Sequence, residues 1–175
     1  LEETLDPAGR KESYTYDSVG NLTKKTVNDT RVTSYAYDAN GNLTSLTNAL
    51  GQTETKKYDN MNRLVQETDA TGAKTTYQYD GKGQLLSSTD GNGNTTAVAY
   101  DGNGNVISVT DGEGRQVRYA YDLADRLTEA MAGDASYENR NTYTYDEVGN
   151  LTSTTDGNGN KMTYTYDLLS NQTSR

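Results

Sequence analysis

Histidine and cysteine are both absent from this 175-residue chain, phenylalanine is absent too, and proline occurs once. Without His and Cys there are no Cys/His zinc sites, no Ser-His-Asp or Cys-His nucleophiles, no haem held by His and no disulfide stapling. No apolar run approaches the ~18–20 residues that a membrane-crossing helix needs. No charged-then-apolar leader opens the sequence, which starts at Leu1 rather than Met, so a leader further upstream stays open. Large aliphatics are scarce: Leu, Val and Ile together number 24. That is about 14% of the chain, below the ~20% mark under which a charged chain is suspected of disorder. Basic residues are few, 16 against 25 acidic ones, and the net charge of −9 argues against nucleic acid and anionic membrane surfaces as partners. The absence of Cys fits an exported bacterial protein.

Against these absences stand 15 Tyr and 17 Gly. The tyrosines are in register. The dipeptide Tyr-Asp recurs at Tyr16-Asp17, Tyr37-Asp38, Tyr58-Asp59, Tyr79-Asp80, Tyr100-Asp101, Tyr121-Asp122, Tyr145-Asp146 and Tyr166-Asp167. The step is 21 residues except once, where it is 24 because three residues are inserted within 132–142. A second Tyr stands two places earlier at Tyr14, Tyr35, Tyr77, Tyr119, Tyr143 and Tyr164, and Tyr137 alone is out of register. Residues 1–175 are thus one array of eight units.

Each unit carries two turn signals. The Tyr-Asp turn is led by the Asp and closed at Gly20, Gly41, Gly83, Gly104 and Gly149. The half-repeat turn comes ten or eleven residues later: Asp6-Pro7-Ala8-Gly9, Asn48 to Gly51, Asp69 to Gly72, Asp90 to Gly93, Asp111 to Gly114 and Asp156 to Gly159. A leading Asp or Asn accepts a backbone N–H two residues on, and the closing position needs positive φ, which Gly supplies. A type I turn followed by a left-handed Gly joins antiparallel strands. Between turns the Tyr segments alternate with a period of two, as Tyr143 and Tyr145 do about Thr144. Segments of the Asn21-Leu22-Thr23 kind follow, with Leu22, Leu43, Leu64, Leu85, Val106, Leu127 and Leu151 in one phase. Frequent Gly and Thr oppose helix.

The fold class expected is therefore all-β: an antiparallel meander of about sixteen short strands, two per 21-residue repeat, forming a curled or spiralling β-ribbon. Order is expected to slacken where the Tyr-Asp turn lacks Gly, at Met61-Asn62, at Leu123-Ala124-Asp125 and at Leu168-Leu169-Ser170. The pattern runs to both ends of the sequence without a capping segment, which reads as a piece of a longer array.

Units such as Tyr143-Thr144-Tyr145-Asp146-Glu147-Val148-Gly149-Asn150-Leu151-Thr152 resemble the Rhs repeat, or YD repeat, over the whole chain. That family includes bacterial Rhs and wall-associated proteins, shell-forming subunits of insecticidal toxin complexes, and teneurins. The resemblance implies a β-ribbon that spirals into a hollow shell. In toxin-type members the shell encloses a polypeptide. The family's shell-closing core with its self-cleaving aspartates has no counterpart in these residues.

Sharper chemistry competes with the repeat for the same residues. Asp90-Gly91-Asn92-Gly93-Asn94 resembles the start of a calcium loop, but an EF-hand needs Gly at position six and Glu at twelve, where Thr95 and Asp101 stand. A Tyr row can stack on sugars, but a row at fixed phase reads first as a cross-strand packing ladder. Catalysis by paired carboxylates is disfavoured, since the same Asp recurs eight times. Sequons such as Asn21-Leu22-Thr23 and Asn150-Leu151-Thr152 read as by-products of the repeat. The function expected is a non-enzymatic scaffold without cofactors, part of an exported shell or cell-surface protein, extracellular or on a bacterial surface. The alternative is a self-assembling fibre or an adhesive, carbohydrate-binding module. The candidate partners are neighbouring repeats or copies of the chain, an enclosed polypeptide, or surface glycans.

Overall fold

A computed structural model of the chain describes residues 2–5, 7–134 and 137–174. Eighteen strands and no helix occur among them. In order they are β1 (Glu2–Leu5), β2 (Lys11–Tyr16), β3 (Leu22–Val27), β4 (Arg31–Tyr37), β5 (Leu43–Thr47), β6 (Thr53–Tyr58), β7 (Leu64–Thr68), β8 (Lys74–Tyr79) and β9 (Leu85–Thr89). They continue as β10 (Thr95–Tyr100), β11 (Val106–Thr110), β12 (Gln116–Tyr121), β13 (Leu127–Asp134), β14 (Tyr137–Tyr145), β15 (Leu151–Thr155), β16 (Lys161–Thr163), β17 (Thr165–Tyr166) and β18 (Gln172–Ser174). Strands β1 to β16 follow one another in a single meander with β1 and β16 at opposite ends of the order, and β17 pairs with β18. The count exceeds the sixteen expected by two, because β1 precedes the first Tyr strand and the last Tyr strand is split. Its first half pairs with β15 and its second with β18, while Tyr164 N–H donates to Thr152 O at 2.9 Å.

The chain forms two compact units, Leu1–Gln78 with Ser88–Gly93, and Tyr79–Ser87 with Asn94–Arg175. Each repeats the same local construction. In the first, β2 runs antiparallel to β3 with Thr15 opposite Lys24 and then Tyr16 opposite Leu22, so Thr23 is an extra residue on β3. The same shift places Tyr37 opposite Leu43 and Tyr58 opposite Leu64. In the second unit it places Tyr100 opposite Val106, Tyr121 opposite Leu127 and Tyr145 opposite Leu151. This is a β-bulge, two residues facing one. It changes the alternation of the Leu strand, so that Leu joins the face carrying both tyrosines. The bulged hydroxyl is used: Thr23 Oγ1 donates to Thr15 O and Thr128 Oγ1 to Ala120 O, each at 3.1 Å.

The bulge sorts the two faces. In the first unit one face carries Tyr35, Tyr37, Leu43 and Leu46, and the other Ser34, Ala36, Ser45 and Thr47. In the second unit Val98, Tyr100, Val106 and Val109 oppose Ala97, Ala99, Ser108 and Thr110. Among the described residues no hydrophobic side chain is fully buried, and Ser153 alone falls in the buried class. Neither unit is therefore held by a sealed apolar core. Cohesion comes from half-buried cross-strand pairs, each contributing about 0.2–1 kcal/mol, and from summing repeat on repeat.

The turns lacking Gly do not slacken. Asn62, Asp125 and Ser170 take φ of 61°, 58° and 61°, and their N–H groups bond to Asp59 O, Asp122 O and Asp167 O at 3.0, 3.1 and 3.0 Å. Asn and Asp tolerate this left-handed region better than most side chains. The three-residue insertion lengthens β13 and β14 into a longer hairpin, with Asp134 opposite Tyr137. The turn expected at Asp6 begins outside the described residues.

Candidate functional site: the Tyr-Asp turns

The Tyr-Asp turn is built by one carboxylate. Asp38 N–H donates to Asn42 O at 3.0 Å and Gly41 N–H to Asp38 O at 3.1 Å, which closes the hairpin. Asp38 Oδ1 then accepts from Asn40 N–H and Asn42 N–H, both at 2.9 Å, and Oδ2 accepts from Asn42 Nδ2 at 3.0 Å. The same pattern is centred on Asp17, Asp101, Asp146 and Asp167 with Asn21, Asn105, Asn150 and Asn171. Asp80 accepts from Lys82 N–H and Gln84 N–H at 2.8 Å. Where Arg replaces Asn, the guanidinium does its work: Arg63 Nε reaches Asp59 Oδ2 and Arg126 Nε reaches Asp122 Oδ2, both at 2.7 Å.

These bonds favour the charged carboxylate. At Asp17, Asp38 and Asp167 the following Asn amide and backbone N–H hold the carboxyl below its usual range. At Asp101 the Asn105 amide does so against desolvation. At Asp59 the Arg63 N–H is the main cause. Desolvation is the largest influence at Asp122 and Asp146 and pushes upward, yet the bonds from Arg126 and Asn150 outweigh it and both end lowered.

The Tyr of each pair reaches backward. Tyr58 OH donates to Leu43 O, Tyr100 OH to Leu85 O and Tyr121 OH to Val106 O, each at 3.0 Å. Tyr145 OH donates to Leu127 O at 2.8 Å and Tyr166 OH to Leu151 O at 2.9 Å. Each of these bonds ties one repeat to the one before it. Desolvation raises the Tyr121 and Tyr145 hydroxyls. Tyr16 OH instead lies 3.5 Å from Glu2 Oε2, Tyr37 faces Leu43, and Tyr79 ends β8.

Neighbouring Tyr-Asp turns are laced together. Asn62 Oδ1 accepts from Asn40 Nδ2 at 2.9 Å and from Asn42 Nδ2 at 2.8 Å. Asp125 Oδ1 accepts from Asn103 Nδ2 at 2.8 Å and from Asn105 Nδ2 at 2.7 Å. Lys82 Nζ donates to Gly102 O at 3.1 Å. Arg126 Nη1 donates to Asp146 O at 2.9 Å, with its guanidinium 4.9 Å from the Tyr145 ring centre. Asn62 and Asp125, which break the glycine rule, thus join Lys82 and Arg126 in tying turns together. Sequence reasoning missed this. The signal was the Arg that follows Asn62 and Asp125, at Arg63 and Arg126.

Half-repeat turns use the same internal bonds. Leu50 N–H and Gln52 N–H reach Asn48 Oδ1 at 2.9 and 3.1 Å, Thr71 N–H reaches Asp69 Oδ1 at 2.8 Å, and Asn92 N–H reaches Asp90 Oδ1 at 2.9 Å. Asp111 is bonded by Glu113, Arg115 N–H and the Arg115 guanidinium, and Asp156 by Asn158 and Asn160. The eleven closing glycines of the two turn types have φ between 78° and 98°: Gly9, Gly20, Gly41, Gly51, Gly72, Gly83, Gly93, Gly104, Gly114, Gly149 and Gly159.

Half-repeat turns differ from Tyr-Asp turns in their spacing to neighbours. A Cβ on Gly112 would stand 2.6 Å from Asn94 Cβ, and one on Gly91 would stand 3.0 Å from Ala73 Cβ. The matching glycines of the Tyr-Asp turns, Gly81 and Gly102, have nothing within 4 Å.

Chemically the arrangement holds a backbone in place. The Asp oxygens are engaged by their own turns, and among the described residues no group of three or more acidic side chains is placed to hold a metal ion. Four sequon asparagines, Asn21, Asn42, Asn150 and Asn171, also give their amides to the turn carboxylates.

Comparison with known proteins places this geometry. The Teneurin YD-shell family model matches residues 4–131, and the RHS Repeat model matches residues 145–175. No curated protein matches the chain. Among solved structures, a crystal structure of TcdB2-TccC3-Cdc42 is similar at 18% identity and a TM-score of 0.65, over 97% of this chain and 12% of that one. A Tc holotoxin pore from Photorhabdus luminescens with a TccC3 mutation is similar at 20% identity and a TM-score of 0.68, over 91% of this chain and 10% of that one. At these identities the shared property is the fold. The chain spans about a tenth of the length of those proteins.

Proposed function

The chain belongs to the Teneurin YD-shell family, and from that premise we propose that it is a non-enzymatic segment of wall in an exported hollow shell. The supporting observation is where its polar groups go. The Asp carboxylates bond within their turns, and the Tyr hydroxyls of β6, β10, β12, β14 and β17 bond the preceding repeat. A wall needs its residues committed to one another, whereas a catalytic carboxylate needs a free oxygen within reach of substrate. In this reading the site is extracellular or on a bacterial surface, and the partner is a polypeptide inside the shell. The likeness to TcdB2-TccC3 supports it at the level of fold.

Electron microscopy of the whole natural protein, isolated without harsh extraction, tests the proposal. Discrete hollow particles are the expected result. Long fibres with an axial repeat would overturn it in favour of self-assembly.

A further inference from the structure

Four Asn-Gly pairs occur in the chain: Asn40-Gly41, Asn92-Gly93, Asn103-Gly104 and Asn158-Gly159. Asparagine is thermolabile. When Gly follows it, no side chain hinders the next backbone nitrogen from attacking the Asn side chain. The chemistry consumes only water. The deprotonated Gly nitrogen attacks Asn Cγ, an N–C bond forms, and ammonia leaves with the electrons of the broken amide C–N bond. Water then opens the five-membered imide, giving Asp or its isomer with the backbone running through the side chain.

All four asparagines occupy the same place in the same kind of turn. Their N–H groups each donate to the leading Asp Oδ1 at 2.9 Å. The following Gly N–H donates to the leading Asp carbonyl at 3.1, 3.0, 3.2 and 2.9 Å, in chain order. All four are exposed. Exposure and backbone bonding therefore do not distinguish them.

Their amides do. Asn40 Nδ2 is held by Asn62 Oδ1 at 2.9 Å, and Asn103 Nδ2 by the Asp125 carboxylate at 2.8 Å. Among the described residues the side chains of Asn92 and Asn158 make no hydrogen bond. For Cγ to swing onto the Gly nitrogen, the amide must rotate. At Asn40 and Asn103 that rotation first breaks a bond to the neighbouring turn. At Asn92 and Asn158 it breaks none.

We propose that Asn92 and Asn158 are sites of spontaneous deamidation, and that Asn40 and Asn103 are protected by the lacing of the Tyr-Asp turns. One neutral hydrogen bond slows the step by roughly fivefold, and one to a carboxylate by roughly tenfold or more. Each conversion adds one negative charge to a half-repeat turn. The isomerised product also lengthens the backbone of that turn by one methylene and disrupts the Gly93 or Gly159 turn bond.

The test is prolonged incubation of the folded chain at mildly alkaline pH, followed by peptide mapping with mass spectrometry and isoaspartate detection. Conversion is expected to be fastest at Asn92 and Asn158. Asn62→Gly is expected to raise the rate at Asn40 to that of Asn92, and Asp125→Gly to do the same for Asn103. Both variants install the residue that closes the other turns, and circular dichroism checks that they fold. In denaturant all four sites should convert alike. Equal rates in the folded chain would overturn the proposal. So would a slow Asn40 in denaturant, or rates at Asn40 and Asn103 unmoved by the two glycine variants.

Discussion

The two rows of turns share one internal design and differ in how each turn meets its neighbours. Tyr-Asp turns are spaced apart and bridged by side chains, as where Asn40 and Asn42 converge on Asn62 and Arg126 reaches Asp146 O. Half-repeat turns press backbone to backbone, as where Gly112 leaves no room for a Cβ beside Asn94. The same Asp-led turn can therefore be joined to the next by adding side chains or by removing them. Non-glycine residues at the left-handed position serve the first mode, and Gly at the second turn position serves the other.

Acid should break the comparison most strongly. Lowered carboxyls include Asp17, Asp38, Asp59, Asp101, Asp122, Asp146 and Asp167 at Tyr-Asp turns and Asp69, Asp111 and Asp156 at half-repeat turns. A carboxyl lowered on folding contributes stability that is complete above its unfolded value, about 3.9, and is lost as pH falls through the folded one. The sheet signal in circular dichroism should hold to about pH 4 and collapse below it. Replacing the seven Tyr-Asp carboxylates by Asn should flatten that acid limb more than replacing the three others.

A matched pair of glycines sharpens the difference next. Gly112→Ala should cost about 1–3 kcal/mol in urea unfolding through overpacking against Asn94. Gly102→Ala, in open space at the same turn position of the other row, should be neutral or stabilise by about 0.4–1 kcal/mol through the unfolded chain. Equal losses would erase the distinction between the rows.

Tyrosine hydroxyls give a smaller effect. Tyr121→Phe leaves Val106 O without its 3.0 Å donor and should cost about 1 kcal/mol. Tyr119→Phe, two residues earlier on β12, should lower the thermal midpoint less.

The repeat, the two turns and the antiparallel order were legible because each is local: Asp38 and Gly41 announce their turn within four residues. The bulge was not. Thr23 and Thr44 read as ordinary strand residues, and only the pairing of Tyr16 with Leu22 and of Tyr37 with Leu43 shows them as the extra residue. Lacing was hidden for a related reason. Asn40 and Asn62 lie 22 positions apart, one more than a repeat, and a local reading scored Asn62 as a defect. The backward bond of Tyr58 to Leu43 O spans 15 positions and likewise depends on register.

The smallest effect expected is that of Asn62→Gly alone. It removes two exposed hydrogen bonds but relieves a left-handed non-glycine, so the net change in urea unfolding should stay within about 1 kcal/mol. For that reason a single substitution says little about lacing. A double-mutant cycle of Asn42→Ala with Asn62→Gly, read by urea unfolding, isolates the bond between two repeats from the strain within one. The lacing predicts a coupling of about 0.5 kcal/mol or more between residues 20 positions apart. Strict additivity would contradict it and leave the Tyr-Asp turns as independent hairpins.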